Sequence, residues 1–387
     1  MKRIAVIVTP ATLLLAIFFL WLRQRVDTPD WLNWSGPGLI AALVTLGLVP
    51  PLQALARRIG LLDHPDARKQ HQGAVPLVGG LAVYGGMLVT VLVYPVYLLN
   101  PEVRAIMLAS GLLLVIGVLD DRYEVSATLK LLFQVAAAAV VMSGGVMVTF
   151  LPAVWWGTGL EVLITALWLI GVTNAVNFLD GVDGLATSLA IVVALAFGLV
   201  AVLTGQPFFL LLCAALAGAC AGFLPYNFRP RPASAFLGDA GATLLGFLLA
   251  SIAIVGEWGG SSGMTLDIIV PLLILGVPIF DTTFITVTRI ADGRIRTFRE
   301  WLEYTGRDHF HHRLLNLGLN RFDTVGFICL LSAILALSAI ILMGADSALA
   351  ILSLLQSVII FSIIGRFMLY IEHRDRIQEG SRNGTAG

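Results

Sequence analysis

The chain has 387 residues, of which 58% are hydrophobic and only 12% charged, against about 25% charged in a soluble domain. That balance excludes a soluble globular protein and predicts an all-α polytopic membrane protein embedded in a lipid bilayer. The formal net charge is zero, which gives no reason to expect a nucleic-acid partner.

A helix needs about 20 apolar residues to cross the hydrocarbon core. In chain order, such runs occupy 4–22, 37–58, 77–99, 103–119, 128–147, 159–175, 184–204, 206–224, 239–256, 266–290, 323–344 and 348–370. Twelve transmembrane helices follow, or eleven if the first run does not cross. Lys2 and Arg3 precede that first run, which is long for a signal-peptide core and reads as a retained helix. The chain divides into residues 1–35, an added N-terminal helix and short loop; 36–372, a transmembrane core; and 373–387, a polar tail. Cys213, Cys220 and Cys329 all lie in apolar runs without metal-site spacing.

Twelve crossings with a cytoplasmic N-terminus put the loops 59–76, 120–127, 176–183, 225–238 and 291–322 on the cytoplasmic side. Of the 24 Lys and Arg residues, only Arg23, Arg25 and Arg104 then fall outside. The positive-inside rule supports that parity. The expected location is the plasma (inner) membrane, as a multi-pass protein.

The polar motifs all fall on this one side. The first is Asp63-His64-Pro65-Asp66-Ala67-Arg68-Lys69-Gln70-His71, followed by Pro76 and Gly79-Gly80. Basic groups beside a glycine-containing helix entry suit a phosphate. The second is Asp120-Asp121 at a helix end, with Lys130 at the next helix start. Adjacent carboxylates repel, and call for a metal, a cation or a proton between them. The third, at 174–186, is Asn-Ala-Val-Asn-Phe-Leu-Asp-Gly-Val-Asp-Gly-Leu-Ala. Asn174, Asn177, Asp180 and Asp183 recur every three residues, so a helical turn would stack them on one side. The fourth is Phe236-Leu237-Gly238-Asp239-Ala240-Gly241, where a carboxylate between glycines suits either a metal ligand on a flexible turn or an N-cap. The fifth is His309-Phe310-His311-His312-Arg313-Leu314, whose donors suit a diphosphate better than zinc. Asp281 lies inside an apolar run and is left outside this set.

Taken together, these five motifs resemble the polyprenyl-phosphate N-acetylhexosamine-1-phosphate transferase family over about residues 45–325. The resemblance implies an active site on the cytoplasmic face. It implies transfer of a sugar 1-phosphate from a UDP-sugar donor to a polyprenyl (undecaprenyl) phosphate acceptor, with release of UMP. Magnesium is the implied cofactor, with manganese an alternative. Asp239 and Asn177 are implied metal ligands; Asp183, Phe236 and Asp180 implied nucleotide contacts; and His309, His311, His312 and Arg313 implied diphosphate and sugar contacts. Asp120 and Asp121 are implied to position or deprotonate the acceptor phosphate, with Lys130, Lys69 and His71 nearby. The pattern His-Xaa-His-His-Arg-Leu is similar to the branch that takes UDP-N-acetylglucosamine. The branch taking UDP-N-acetylmuramoyl-pentapeptide usually shows three consecutive histidines, and Phe310 breaks that run. Gly306 stands where the first branch often has an Asp. The alternative from another class is a secondary transporter, which would place carboxylates near the bilayer midplane in two related halves. A homodimer stays open.

Overall fold

The computed structural model describes residues 30–64, 73–152, 154–230, 232–256, 264–297, 300, 308–343 and 347–384. The run 4–22, Lys69, His71, Trp301, Tyr304 and Gly306 lie outside the described residues.

The described chain is a helical bundle. Its helices are α1 (Asp30–Ile59), α2 (Gly79–Val93), α3 (Val96–Leu99), α4 (Pro101–Tyr123), α5 (Ala127–Ser143), α6 (Trp155–Leu179) and α7 (Leu185–Leu203). There follow α8 (Pro207–Asn227), α9 (Gly238–Val255), α10 (Met264–Ile274), α11 (Gly276–Ala291), α12 (Phe310–Asn316), α13 (Arg321–Ile341) and α14 (Ser347–Gly384). Among the described residues, eight helices are long and apolar enough to cross a membrane: α1, α4, α6, α7, α8, α9, α13 and α14. This is a multi-pass membrane protein. The apolar runs at 77–99 and 266–290 are not single straight spans. The first breaks between α2 and α3. The second bends by 78° between α10 and α11, where Pro271, Gly276 and Pro278 weaken the hydrogen-bond ladder.

Local capping sets several boundaries. The Asn100 side chain accepts from the Val103 N–H and Pro101 opens α4; Ser126 caps α5 through the Leu129 N–H; Asn320 caps α13. Small residues set the closest helix pair. A Cβ on Gly218 of α8 would lie 2.0 Å from the Gly38 carbonyl oxygen of α1, and one on Gly222 2.2 Å from that of Ala42. The Gly218–Gly222 spacing of four brings the two backbones together, a common device between membrane helices.

Helix α9 is central. It packs on α6, α4, α2 and α7, and it is the most deeply buried of the eight. Its N-terminus therefore opens among the ends of its neighbours. A two-stranded antiparallel pair, β1 (Leu62–Asp63) and β2 (Val75–Pro76), closes the loop after α1. The Phe236 N–H donates to the Pro76 carbonyl at 2.9 Å, and the Gly79 and Gly80 N–H groups donate to the Phe236 and Leu237 carbonyls. These bonds tie the loop before α9 to the entry of α2. The Arg122 Nε donates to the Ile59 carbonyl, joining the end of α4 to that of α1.

Candidate active site

The entry of α9 begins at Gly238, whose φ of +74° an L side chain rarely adopts. Its N-cap position is Leu237, which supplies no side-chain oxygen. The missing cap comes from another helix. The Asp121 Oδ1 accepts from the Asp239 N–H at 2.8 Å and its Oδ2 from the Ala240 N–H at 3.3 Å. Asp121 thus meets the first-turn donors of α9, where a negative charge also complements the helix dipole. Asp239 itself is not the cap, and its side chain stays 49% exposed.

Asp120 turns the other way. Its Oδ1 accepts from the Val125 N–H at 2.8 Å, and its Oδ2 pairs with the Lys130 Nζ at 2.7 Å. Of the two adjacent carboxylates, Asp120 is the one paired with Lys130, while Asp121 takes backbone N–H groups. Successive residues on a helix point about 100° apart, and here one faces α9 and the other α5. Lys130 also reaches the Asp239 Oδ2 at 3.4 Å. Both ends of that second pair are more than a third exposed, so it is worth at most about 1 kcal/mol and opens readily to a ligand.

Asn177 enters from the last turn of α6, in contact with the Asp239 carboxylate and donating to the Thr243 hydroxyl at 3.4 Å. The polar stack expected at 174–183 does not form. Helix α6 stops at Leu179, the turn at 180–184 redirects the chain, and Asn174 instead pairs with Gln134 of α5 through two amide hydrogen bonds. Burial, then the charges of Asp239 and Asp183, push the Asp180 carboxyl up to about 7. Asp183 faces Arg321 at the start of α13, whose guanidinium donates to its Oδ2 at 2.9 Å.

The histidine run forms the other wall. His309 precedes α12, with its ring centroid 5.6 Å from that of Phe178 and 5.9 Å from that of His311. His311 is 1% exposed and neither ring nitrogen has a hydrogen-bond partner. Burial, with His312 and His309 beside it, holds its pKa well below the usual imidazole value, so the ring is neutral at pH 7. A Cβ on Gly181 would meet the His311 Nε2 at 2.2 Å; only glycine lets the 180–184 turn lie this close. The His312 ring is 4.2 Å from that of His311. The Arg313 Nε donates to the Asp308 carbonyl at 2.7 Å.

The sequence reading left out the residues beneath this run. Asp281 of α11 is 2% exposed, pairs with the His309 Nδ1 at 2.8 Å and accepts from the Phe310 N–H at 2.7 Å. Arg289, two turns further along α11, grips Asp308 with two nitrogens, one at 2.8 Å. Although burial opposes it, that guanidinium keeps the Asp308 carboxyl below the ordinary carboxylate range. The signal was present in the sequence: a carboxylate and an arginine inside one apolar run.

The turn at 178–184 thus joins two walls, a carboxylate–lysine cluster around Asp239 and a histidine–arginine run at the start of α12, supported from beneath by α11. Among the described residues, no three His, Cys, Asp or Glu side chains converge as a metal cage. Residues 103–257 match the model of glycosyl transferase family 4. The probable undecaprenyl-phosphate N-acetylglucosaminyl 1-phosphate transferase of Bacillus subtilis (strain 168) is 33% identical over 331 residues, covering 84% of this chain and 89% of that protein.

The chain belongs to glycosyl transferase family 4.

Two further relatives agree. The decaprenyl-phosphate N-acetylglucosaminephosphotransferase of Mycolicibacterium smegmatis is 32% identical over 333 residues, 78% of this chain and 80% of that protein. The undecaprenyl-phosphate alpha-N-acetylglucosaminyl 1-phosphate transferase of Escherichia coli (strain K12) is 30% identical over 292 residues, 73% and 76%. The family 4 match encloses Asp120, Asp121, Lys130, Asn177, Asp180, Asp183, Phe236 and Asp239. The histidine run lies beyond it.

Proposed function

We propose that this family 4 protein transfers N-acetylglucosamine 1-phosphate from UDP-N-acetylglucosamine to a polyprenyl phosphate, releasing UMP. The observation that carries the reading is the pair of facing walls at one end of an apolar bundle. An acidic, lysine-bridged cluster stands opposite histidines and arginine, and the relatives carry names of this same chemistry. The lipid phosphate oxygen attacks the sugar-side phosphorus of the donor. The bond from that phosphorus to the bridging oxygen breaks, and UMP leaves with the bridging oxygen.

Both substrates are anions, so the site must lower their repulsion. Lys130 is placed to do this, since its bond to Asp239 is weak and exposed and can give way to a phosphate oxygen. Asp120 holds that ammonium in place. Asp121 has both oxygens occupied by backbone N–H groups, so we assign it to building the entry of α9 and not to proton transfer. The acceptor phosphate is nucleophilic near pH 7 without a strong base. Arg313 would hold the donor diphosphate and His309 the donor's sugar, with Asp183 and Phe236 toward the base.

Asp239 and Asn177 fit a divalent cation of the magnesium type. Such ions bind through one or two carboxylates together with substrate phosphates, and need no all-protein cage. When bound, the ion supplies charge neutralisation at the phosphoryl oxygens. Lys and Arg counts across the loops support a site on the cytoplasmic face.

The test is incubation of the purified protein with polyprenyl phosphate, magnesium and separate UDP-sugars. A lipid product heavier by one N-acetylhexosamine phosphate, formed from UDP-N-acetylglucosamine, is expected. Activity with UDP-N-acetylmuramoyl-pentapeptide alone would move the protein to the other branch. Solute uptake without a lipid product would favour a transporter.

A further inference from the structure

Helix α11 carries two buried charged groups with no direct place in the reaction above. Arg289 fixes Asp308, and Asp281 fixes the next two residues. The bend before α11 brings this helix against α6, and so beneath the 178–184 turn. The Asp281 carboxylate is shared in a defined way. Its Oδ1 takes the Phe310 N–H and its Oδ2 faces the His309 Nδ1. A carboxylate can only accept here, so Nδ1 carries the proton and Nε2 is the nitrogen left for a ligand.

The geometry points to Asp281 as a positioning residue that sets the tautomer and the orientation of His309, presenting its unprotonated Nε2 as an acceptor to a hydroxyl or amide N–H of the donor's sugar. This inference rests on the proposed function for the identity of the donor, but not for the tautomer. The logic is that of metal-bound histidines, whose outer hydrogen bond selects the nitrogen that acts. Arg289 supports it by pinning the residue before the histidine.

Asp281→Asn tests the idea with a directional readout. In that variant the Phe310 N–H still demands an oxygen, so the amide oxygen takes Oδ1's place. The amide nitrogen then faces the His309 Nδ1 and donates to it, which moves the ring proton to Nε2. Carbethoxylation by diethyl pyrocarbonate needs an unprotonated ring nitrogen. The rate at His309, followed by peptide mass spectrometry on the intact detergent-solubilised protein, should therefore fall in Asp281→Asn. A purely structural Asp281 predicts an unchanged rate, or a faster one from loosening, and either result overturns the inference.

The kinetic arm uses a double-mutant cycle. Asp281→Asn should lower kcat/KM for the UDP-sugar about 10–100-fold while leaving the KM for the lipid unchanged. In a His309→Ala background it should cost nothing more. Independent, multiplying losses would contradict action through His309. If the wild-type protein makes no lipid product from any UDP-sugar, the proposed function fails, and the labelling rate still decides on Asp281.

Discussion

Gly117 of α4 lies one turn before Asp120, and a Cβ built there would sit 2.4 Å from the Ala240 Cα and 2.9 Å from its nitrogen. Those are backbone atoms of the first turn of α9, and cannot rotate aside. Gly117→Ala must push that turn away by about 1 Å to reach ordinary contact distance. Stability is a blunt reporter of this. Overpacking costs about 1–3 kcal/mol, while alanine for glycine within a helix returns about 1 kcal/mol, so the net loss is about 0–2 kcal/mol. Rate is the sharp reporter, because the displaced turn carries Asp239 and a misplacement of about 1 Å can cost about 100-fold. The assay is turnover of UDP-N-acetylglucosamine and polyprenyl phosphate, alongside a melting curve of the solubilised protein. Gly171→Ala in α6 is the control: nothing lies within 4 Å of its Cβ position, and it should keep wild-type turnover. Activity of Gly117→Ala within twofold of wild type would refute the claim that α4 and α9 hold the site by direct backbone contact.

Asp239→Asn should reduce turnover at least about 100-fold at ordinary magnesium with little change in Tm, and excess magnesium or manganese should partly restore it; full activity would remove Asp239 from the ligands. Asp180→Asn should stabilise the protein more at pH 8 than at pH 5. The folded carboxyl titrates near 7 against an ordinary 3.8, so its ionisation opposes folding from about pH 4 upward and most fully above 7. Equal Tm gains at both pH values would contradict this origin. A single cysteine at Asp292, in a background lacking Cys213, Cys220 and Cys329, should resist impermeant thiol reagents in whole cells; labelling from outside would reverse the orientation.

Much of this site was legible because hydropathy fixes which helix ends share a side. Once parity put the ends at Asp120, Asn177 and Asp239 together, their convergence followed from the packing of α9 among α4 and α6. Residue pairs across elements were not legible. The helical step turns Asp120 and Asp121 apart, but that Asp121 meets the first-turn N–H groups of α9 and Asp120 meets Lys130 is encoded by no spacing within α4. Asp281 and His309 are 28 positions apart, and only the bend at Leu275 puts them in contact. Pro271, Gly276 and Pro278 mark a weak point in that run, but its 78° angle is set by tertiary packing. Asn174 fits the three-residue polar rhythm, yet it pairs with Gln134 of α5, a partner on another helix that the rhythm does not encode, while the glycine turn after Leu179 takes Asp180 and Asp183 out of the helix.

A sugar phosphate, not a sugar, moves to the lipid. UDP-N-acetylglucosamine carrying radioactive phosphorus only in its sugar-side phosphate separates the two outcomes. With purified protein, polyprenyl phosphate and magnesium, the label should pass into the organic-soluble lipid product in step with unlabelled UMP. Label retained in water-soluble UDP, with the sugar alone on the lipid, would contradict the account.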